Sequence, residues 1–314
     1  MAEPNASDEA LEERRDWLFV LALLSAVLLA VVYVVAVRTG WGQRLDNAAL
    51  DGRTTRLVVL HATSLLLDTI SVTSLTLLGG AALAIAVGRR RIHLAVTAAA
   101  VVLGANLTSQ FLKNYLLGRP DLTGTNDPLP IPSFPSGHTT VAMSLAVAFV
   151  LVVPARLRPT AAIFGAAYAC LVGTGTVTAG GHRPSDVIGG FLVVAMWTGM
   201  AVAGLMRWRG AITERDPDAG AEPAVTPAFA RIGALLLALG FGGFVVVYLA
   251  IRQDRLDAVR LDGAYLAALI VIVGAGLLVM AVLLAALRGV GLDPSPGEVI
   301  SSRRRRRSVV RSRR

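Results

Sequence analysis

Eight stretches of about twenty mostly apolar residues without Asp, Glu, Lys or Arg constrain this chain more than any motif in it. They fall near residues 17–37, 69–88, 92–112, 139–155, 160–180, 187–206, 232–251 and 264–287. A helix of that length matches the thickness of a bilayer's hydrocarbon layer, and in that layer only helices and closed barrels satisfy their own backbone. The expected fold is therefore all-α, a polytopic transmembrane helical bundle. The fourth stretch is short and could begin inside the loop before it. The first is too long, and lacks a small-residue cleavage site, to be a removed signal peptide.

Composition supports this reading and excludes others. Charged residues make up 16% of the 314 and hydrophobic ones 54%, against about a quarter charged in soluble domains. The lone cysteine, Cys170, excludes a disulfide framework and a Cys-rich metal site. The net charge of +9 does not imply a specific nucleic-acid partner. Its basic residues form short clusters beside apolar spans and a C-terminal tail, a pattern suited to anionic lipid headgroups. The chain divides into an N-terminal cytoplasmic segment (1–16), a six-span core (17–208), a Pro-, Ala- and acid-rich cytoplasmic linker (209–229), a two-span addition (230–288) and a basic, disordered tail (289–314). Within 38–68, Leu57, Leu60, Ser64 and Leu67 recur at helical spacing, so an interfacial amphipathic helix is expected to lead into the second span.

Arginine placement orients the bundle. With the N-terminus in the cytoplasm, twenty of 29 arginines fall inside, with Arg89, Arg90 and Arg91 in one very short loop. Both termini are then cytoplasmic. Counting spans from there, the third ends at "LKNYLLGRPD", the fourth starts after "SFPSGHTT" and the sixth starts after "AGGHRPSD". Three clusters distant in sequence thus share one membrane face, the outer one, and they still share a face if the whole topology is inverted.

The shared set has a definite chemistry. Lys113, the only lysine, and Arg119 bring fixed positive charge. Ser136, Gly137 and His138 sit at a helix start, where backbone N–H groups and the dipole attract anions. His182 and Asp186 are four apart on the first turn of a helix opened by Pro184, so the carboxylate can fix the imidazole tautomer and stabilise its charged form. Together they form an anion cradle holding two histidines, which suits phosphoryl transfer through a histidine nucleophile. A metal centre fits less well, since there is no second acid cluster and the cations would repel it. Ser136 as nucleophile with His138 as base is geometrically awkward at two residues' separation.

The patterns K-x5-RP (Lys113, Arg119, Pro120), PSGH (Pro135 to His138) and H-x3-D (His182, Asp186) resemble, in order and spacing, the three-part signature of the type 2 phosphatidic acid phosphatase superfamily. The resemblance spans about residues 10–208. It implies a membrane-embedded, metal-independent phosphatase of lipid phosphates or diphosphates that needs no cofactor. It further implies that His182 attacks phosphorus, Asp186 supports it and His138 protonates the leaving oxygen and then activates water. Lys113, Arg119, Ser136 and the Gly137 backbone would bind phosphoryl oxygens. Two positions depart from the family pattern. Five residues rather than six separate Lys113 from Arg119, and Gly175–Thr176 stand where the family carries Ser-Arg. Thr176 and the neighbouring Arg183 are the candidates for the missing phosphate contact. The implied substrate is phosphatidic acid, phosphatidylglycerol phosphate or a polyprenyl diphosphate, handled at the outer face of the plasma membrane. A phosphotransferase using the same histidine, and a catalytically weak lipid-binding scaffold, are the alternatives. The oligomeric state is not legible.

Overall fold

The computed structural model describes residues 6–53, 57–68, 72–89, 91–124, 133–208, 224–252 and 258–287. Every regular element among them is helical. In chain order they are α1 (Ala6–Val32), α2 (Gly40–Asp51), α3 (Leu57–Asp68), α4 (Val72–Gly88), α5 (Ile92–Phe111), α6 (Gly137–Val152), α7 (Arg158–Thr178), α8 (Pro184–Trp208), α9 (Val225–Arg252) and α10 (Ala258–Ala286). Single π-helical turns follow α1 (Tyr33–Val37) and α5 (Leu112–Leu116).

Among the described residues six helices are long and apolar enough to cross a bilayer, which makes the chain an integral membrane protein. They lie at Arg15–Val37, Ile92–Leu116, Arg158–Thr178, Pro184–Arg207, Val225–Ala250 and Leu261–Ala286. The fourth expected span is a shorter apolar helix, Gly137–Val152, and of the second the described residues form the apolar helix α4, Val72–Gly88. Helix α6 is short because Ser136 caps its start and the chain turns at Val153–Pro154. It needs no full span of its own, since it is buried along most of its length among α4, α5, α7 and α8. The outer helices show the reverse pattern. Leu23, Val27 and Val31 of α1, and Leu235, Leu239 and Val246 of α9, turn large side chains outward, as lipid-facing surfaces do.

In the segment 38–68 the expected helix bearing Leu57, Leu60, Ser64 and Leu67 is present as α3, and a second helix, α2, precedes it. Helix α2 turns a polar face inward. Thr39 caps α2 by accepting the Gly42 N–H at 3.1 Å. Gln43, Asp46, Asn47 and Leu50, at helical spacing, are all buried. Helix α2 packs against α8, α9 and α10. Helix α10 packs on α9 and also on α2, α7 and α8, with the Tyr265 and Thr178 hydroxyls 2.7 Å apart. Most of the expected linker (209–229) and the basic tail (289–314) lie outside the described residues; α9 begins at Val225.

Helix α5 reaches α8 through one tight contact. A Cβ on Gly104 would stand 2.5 Å from the Trp197 ring, whose indole N–H donates to Thr108 at 2.9 Å. Gly104→Val should therefore separate the two helices and lower stability by about 1–3 kcal/mol, read as a drop in melting temperature in detergent.

Candidate active site

The site forms where the starts of α6 and α8 meet the end of α5. Two adjacent glycines permit the first contact. A Cβ on Gly189 would lie 2.7 Å from the Phe134 ring, and one on Gly190 would lie 3.0 Å from the Ser136 carbonyl oxygen. With neither present, the first turns of α8 lie directly against the loop that opens α6. The Ser136 N–H donates to the Asp186 carbonyl at 2.8 Å, so a main-chain hydrogen bond joins the PSGH and H-x3-D segments.

The turn into α8 is equally defined. Gly180 adopts φ +77°, a conformation that glycine takes without strain, and the Arg53 guanidinium lies against it. The Gly181 and His182 N–H groups both donate to the Thr176 carbonyl, at 3.0 and 3.2 Å. His182 Nδ1 then sits 3.4 Å from Asp186 Oδ2, which also accepts the Arg183 N–H at 2.9 Å. That arrangement engages Nδ1 with the carboxylate, so any chemistry of the ring would fall to Nε2. The His138 ring faces it, with ring centroids 6.0 Å apart and planes inclined at 69°.

A cavity of about 700 Å³ opens onto these rings, and Lys113, Gly137, His138 and His182 line its polar end. Gln110 lines it too, its amide nitrogen 3.3 Å from where a Gly137 Cβ would be. Lys113 reaches the cavity from the π turn that closes α5, where the Leu117 N–H donates to the Leu112 carbonyl five residues back. The unusually short Lys113–Arg119 spacing thus coincides with a widened helical turn. From Lys113 the cavity continues along Ala82, Leu83, Ala98 and Val102 of α4 and α5, an apolar wall.

The remaining sequence candidates occupy different places. Ser136 is fully buried, and its hydroxyl caps α6, accepting from the Thr139 N–H at 3.4 Å and the Thr139 hydroxyl at 3.0 Å. Thr176 is not brought to the cavity, because its hydroxyl donates back to the Gly173 carbonyl at 2.8 Å. Arg183 is fully buried, with Nε donating to Asn47 Oδ1 at 2.9 Å and Nη1 to the Ser133 hydroxyl at 3.4 Å. Arg119 is nearly buried and lies 3.6 Å from Asp46 Oδ2. Among the described residues, no group of three His, Cys, Asp or Glu side chains is placed to hold a metal ion.

Sequence reasoning missed α2. Asp46 meets Arg119, accepts the Ser185 N–H at 3.2 Å, and makes a short hydrogen bond with the Ser185 hydroxyl. Burial pushes its carboxyl up to about 6, against the opposing pull of Arg119. Gln43 secures the loop bearing Arg119, donating to the Pro120 carbonyl at 2.7 Å and accepting the Leu122 N–H at 3.1 Å. Asp121 fixes the next turn, its carboxyl held below its ordinary range by the N–H groups of Thr123 and Gly124. The signal that could have found α2 is its stripe of Gln43, Asp46 and Asn47 at helical spacing. In a membrane bundle such a stripe faces protein rather than lipid.

Fold and site together define a polytopic helical membrane protein with a polar, histidine-bearing centre at one end of its bundle. A family model described as the PAP2 superfamily matches residues 93–210, the stretch that runs from α5 through α8. No curated protein and no solved structure gives a significant match.

Gly190→Val should push α6 and α8 apart at Ser136. A shift of about 1 Å between His138 and His182 should cost about 100-fold in turnover, measured on protein whose folding is checked by its melting temperature.

Proposed function

We propose that this protein is an integral membrane phosphatase that hydrolyses a phosphate monoester or diphosphate of a lipid through a phosphohistidine on His182. The observation that carries this reading is the single cavity that joins His138, His182 and Lys113 to the apolar wall of α4 and α5. A charged head and an apolar chain on one substrate would match its two ends. Phosphatidic acid, phosphatidylglycerol phosphate and polyprenyl diphosphates all have that form.

His182 Nε2 attacks phosphorus while the bond to the leaving oxygen breaks, and His138, protonated, gives that oxygen its proton. Asp186 stabilises the positive charge that develops on the His182 ring. His138, now neutral, takes a proton from water; the resulting hydroxide attacks phosphorus, breaks the P–N bond and releases inorganic phosphate. Lys113 and the Gly137 N–H at the start of α6 stabilise the phosphoryl oxygens as charge builds on them, with Arg119 and the Ser136-capped turn behind.

The site faces the outer side of the plasma membrane. Arg89 donates from the opposite end of the bundle to the Val152 carbonyl at 2.5 Å, so the arginine-rich α4–α5 junction and the end of α6 meet there. Arginine-rich ends stay in the cytoplasm, which supports an outward site. Recycling of a carrier-lipid diphosphate suits that side.

The test is phosphate release by purified protein in detergent from a panel of lipid phosphates. His182→Ala should abolish release, and His138→Ala should slow it about 10²–10⁴-fold. Release that persists in His182→Ala would refute the mechanism. Transfer of phosphate to an added alcohol in place of water would instead identify a phosphotransferase, and no turnover of any substrate would favour a lipid-binding scaffold.

A further inference from the structure

We propose that Asp46, on α2 and outside the PAP2 stretch, is a positioning residue for phosphate binding: its carboxylate holds the Arg119 guanidinium and the first turn of α8 in one arrangement. The inference rests on reading the site as phosphate-binding. It concerns a part of the chain that none of the three sequence patterns touches.

The geometry gives one side chain three tasks. Asp46 Oδ1 accepts the Ser185 N–H at 3.2 Å, one of the backbone donors that the start of a helix leaves without an intrahelical partner. Oδ2 takes the Ser185 hydroxyl and lies 3.6 Å from Arg119 Nη1. Ser185 stands between His182 and Asp186 in sequence. The carboxylate therefore ties the segment that carries the reactive histidine to the loop that carries Arg119. Asp46 is itself nearly buried, so its orientation is set by packing rather than by solvent.

The environment shows what its charge does. Arg119 and Arg183 face it with positive charge and Asp186 with negative charge, while Ser185 donates a hydrogen bond. A guanidinium next to a phosphate pocket has many rotamers, and a fixed counter-charge behind it selects one. Replacing Asp46 by asparagine keeps an acceptor for the Ser185 N–H and removes that counter-charge. Because the group titrates near 6, acid should do the same to the wild type.

Anion binding tests this without depending on turnover. Sulfate serves as the probe, since it remains a dianion across the range used, and binding is read as the sulfate-dependent rise in melting temperature of the full chain in detergent. At pH 7.5, Asp46→Asn should bind sulfate roughly tenfold more weakly than wild type. The gap should close as pH falls through about 6, where wild-type Asp46 becomes protonated. Asp46→Ala, which also removes the cap, should lose more melting temperature in the absence of sulfate than Asp46→Asn. If a lipid phosphate is turned over, Asp46→Asn should raise KM by more than it lowers kcat.

Tighter sulfate binding by Asp46→Asn would overturn the proposal, because the carboxylate would then be a competitor for Arg119. An unchanged sulfate response with a lowered melting temperature would also overturn it, leaving Asp46 a purely structural cap. Failure of every lipid phosphate to react would refute the phosphatase reading while leaving the sulfate result to decide the role of Asp46.

Discussion

Two helix N-termini held side by side are the constraint around which this site is arranged. Helices α6 and α8 both begin here, joined by the hydrogen bond from the Ser136 N–H to the Asp186 carbonyl. Each start carries a partial positive charge from its aligned peptides, and bringing two together is unfavourable without negative charge nearby. Lys113, Arg119 and Arg183 add to that excess. Asp186 and Asp46 offset part of it, each accepting an N–H from the opening of α8. The balance is left positive, and it is left so at the end of a cavity where His138 and His182 face one another. A phosphoryl group is the kind of ligand that such a balance admits.

The membrane setting raises the importance of every polar contact behind that cavity. A buried polar group in a low-dielectric interior costs several kcal/mol if it is not met by a partner. Helix α2 meets these groups in order along one face, Gln43 with the loop after Arg119, Asp46 with Arg119 and Ser185, and Asn47 with Arg183. None of these residues lines the cavity together with the two histidines, yet they orient the segments that do. The site is consequently a layered one, with reacting groups in front and a helix of charge partners behind.

How much of this was legible in the sequence follows from which forces were local. The apolar stretches revealed the bundle because bilayer thickness fixes their length, and α6 fell short of a full span because neighbouring helices, rather than lipid, surround it. Lys113, His138 and His182 could be assigned to one end by counting spans, a purely topological inference, and the cavity does join all three. The stripe of Gln43, Asp46 and Asn47 on α2 carried a signal, but not its partners. The helix packs against α8, α9 and α10, and those contacts come from residues more than a hundred positions away. Thr176 shows the opposite difficulty. Its position suggested a phosphate contact, but a threonine hydroxyl in a helix readily donates to a carbonyl of the preceding turn, and this one does.

Thr176 stands where the pattern that the chain resembles carries an arginine. Neither Thr176 nor Arg183 presents a donor to the cavity, and of Lys113, Arg119 and Arg183 only Lys113 lines it. Arg119 and Arg183 lie one layer back, engaged with Asp46, Asn47 and Ser133. Charges at that remove still act strongly where water is excluded, since Coulomb energy falls only as the inverse of distance while the effective dielectric constant is well below that of water. A guanidinium in contact fixes two phosphoryl oxygens at once, so a charge set back from the cavity depends on how its partners aim it, as Asp46 aims Arg119 on the proposed reading. On the phosphatase reading, direction comes also from the front layer, from the Gly137 N–H, the Lys113 ammonium and the Gln110 amide that line the cavity. On that reading the site replaces one bidentate contact with buried cations held in place by α2 and an orientation set by a helix start.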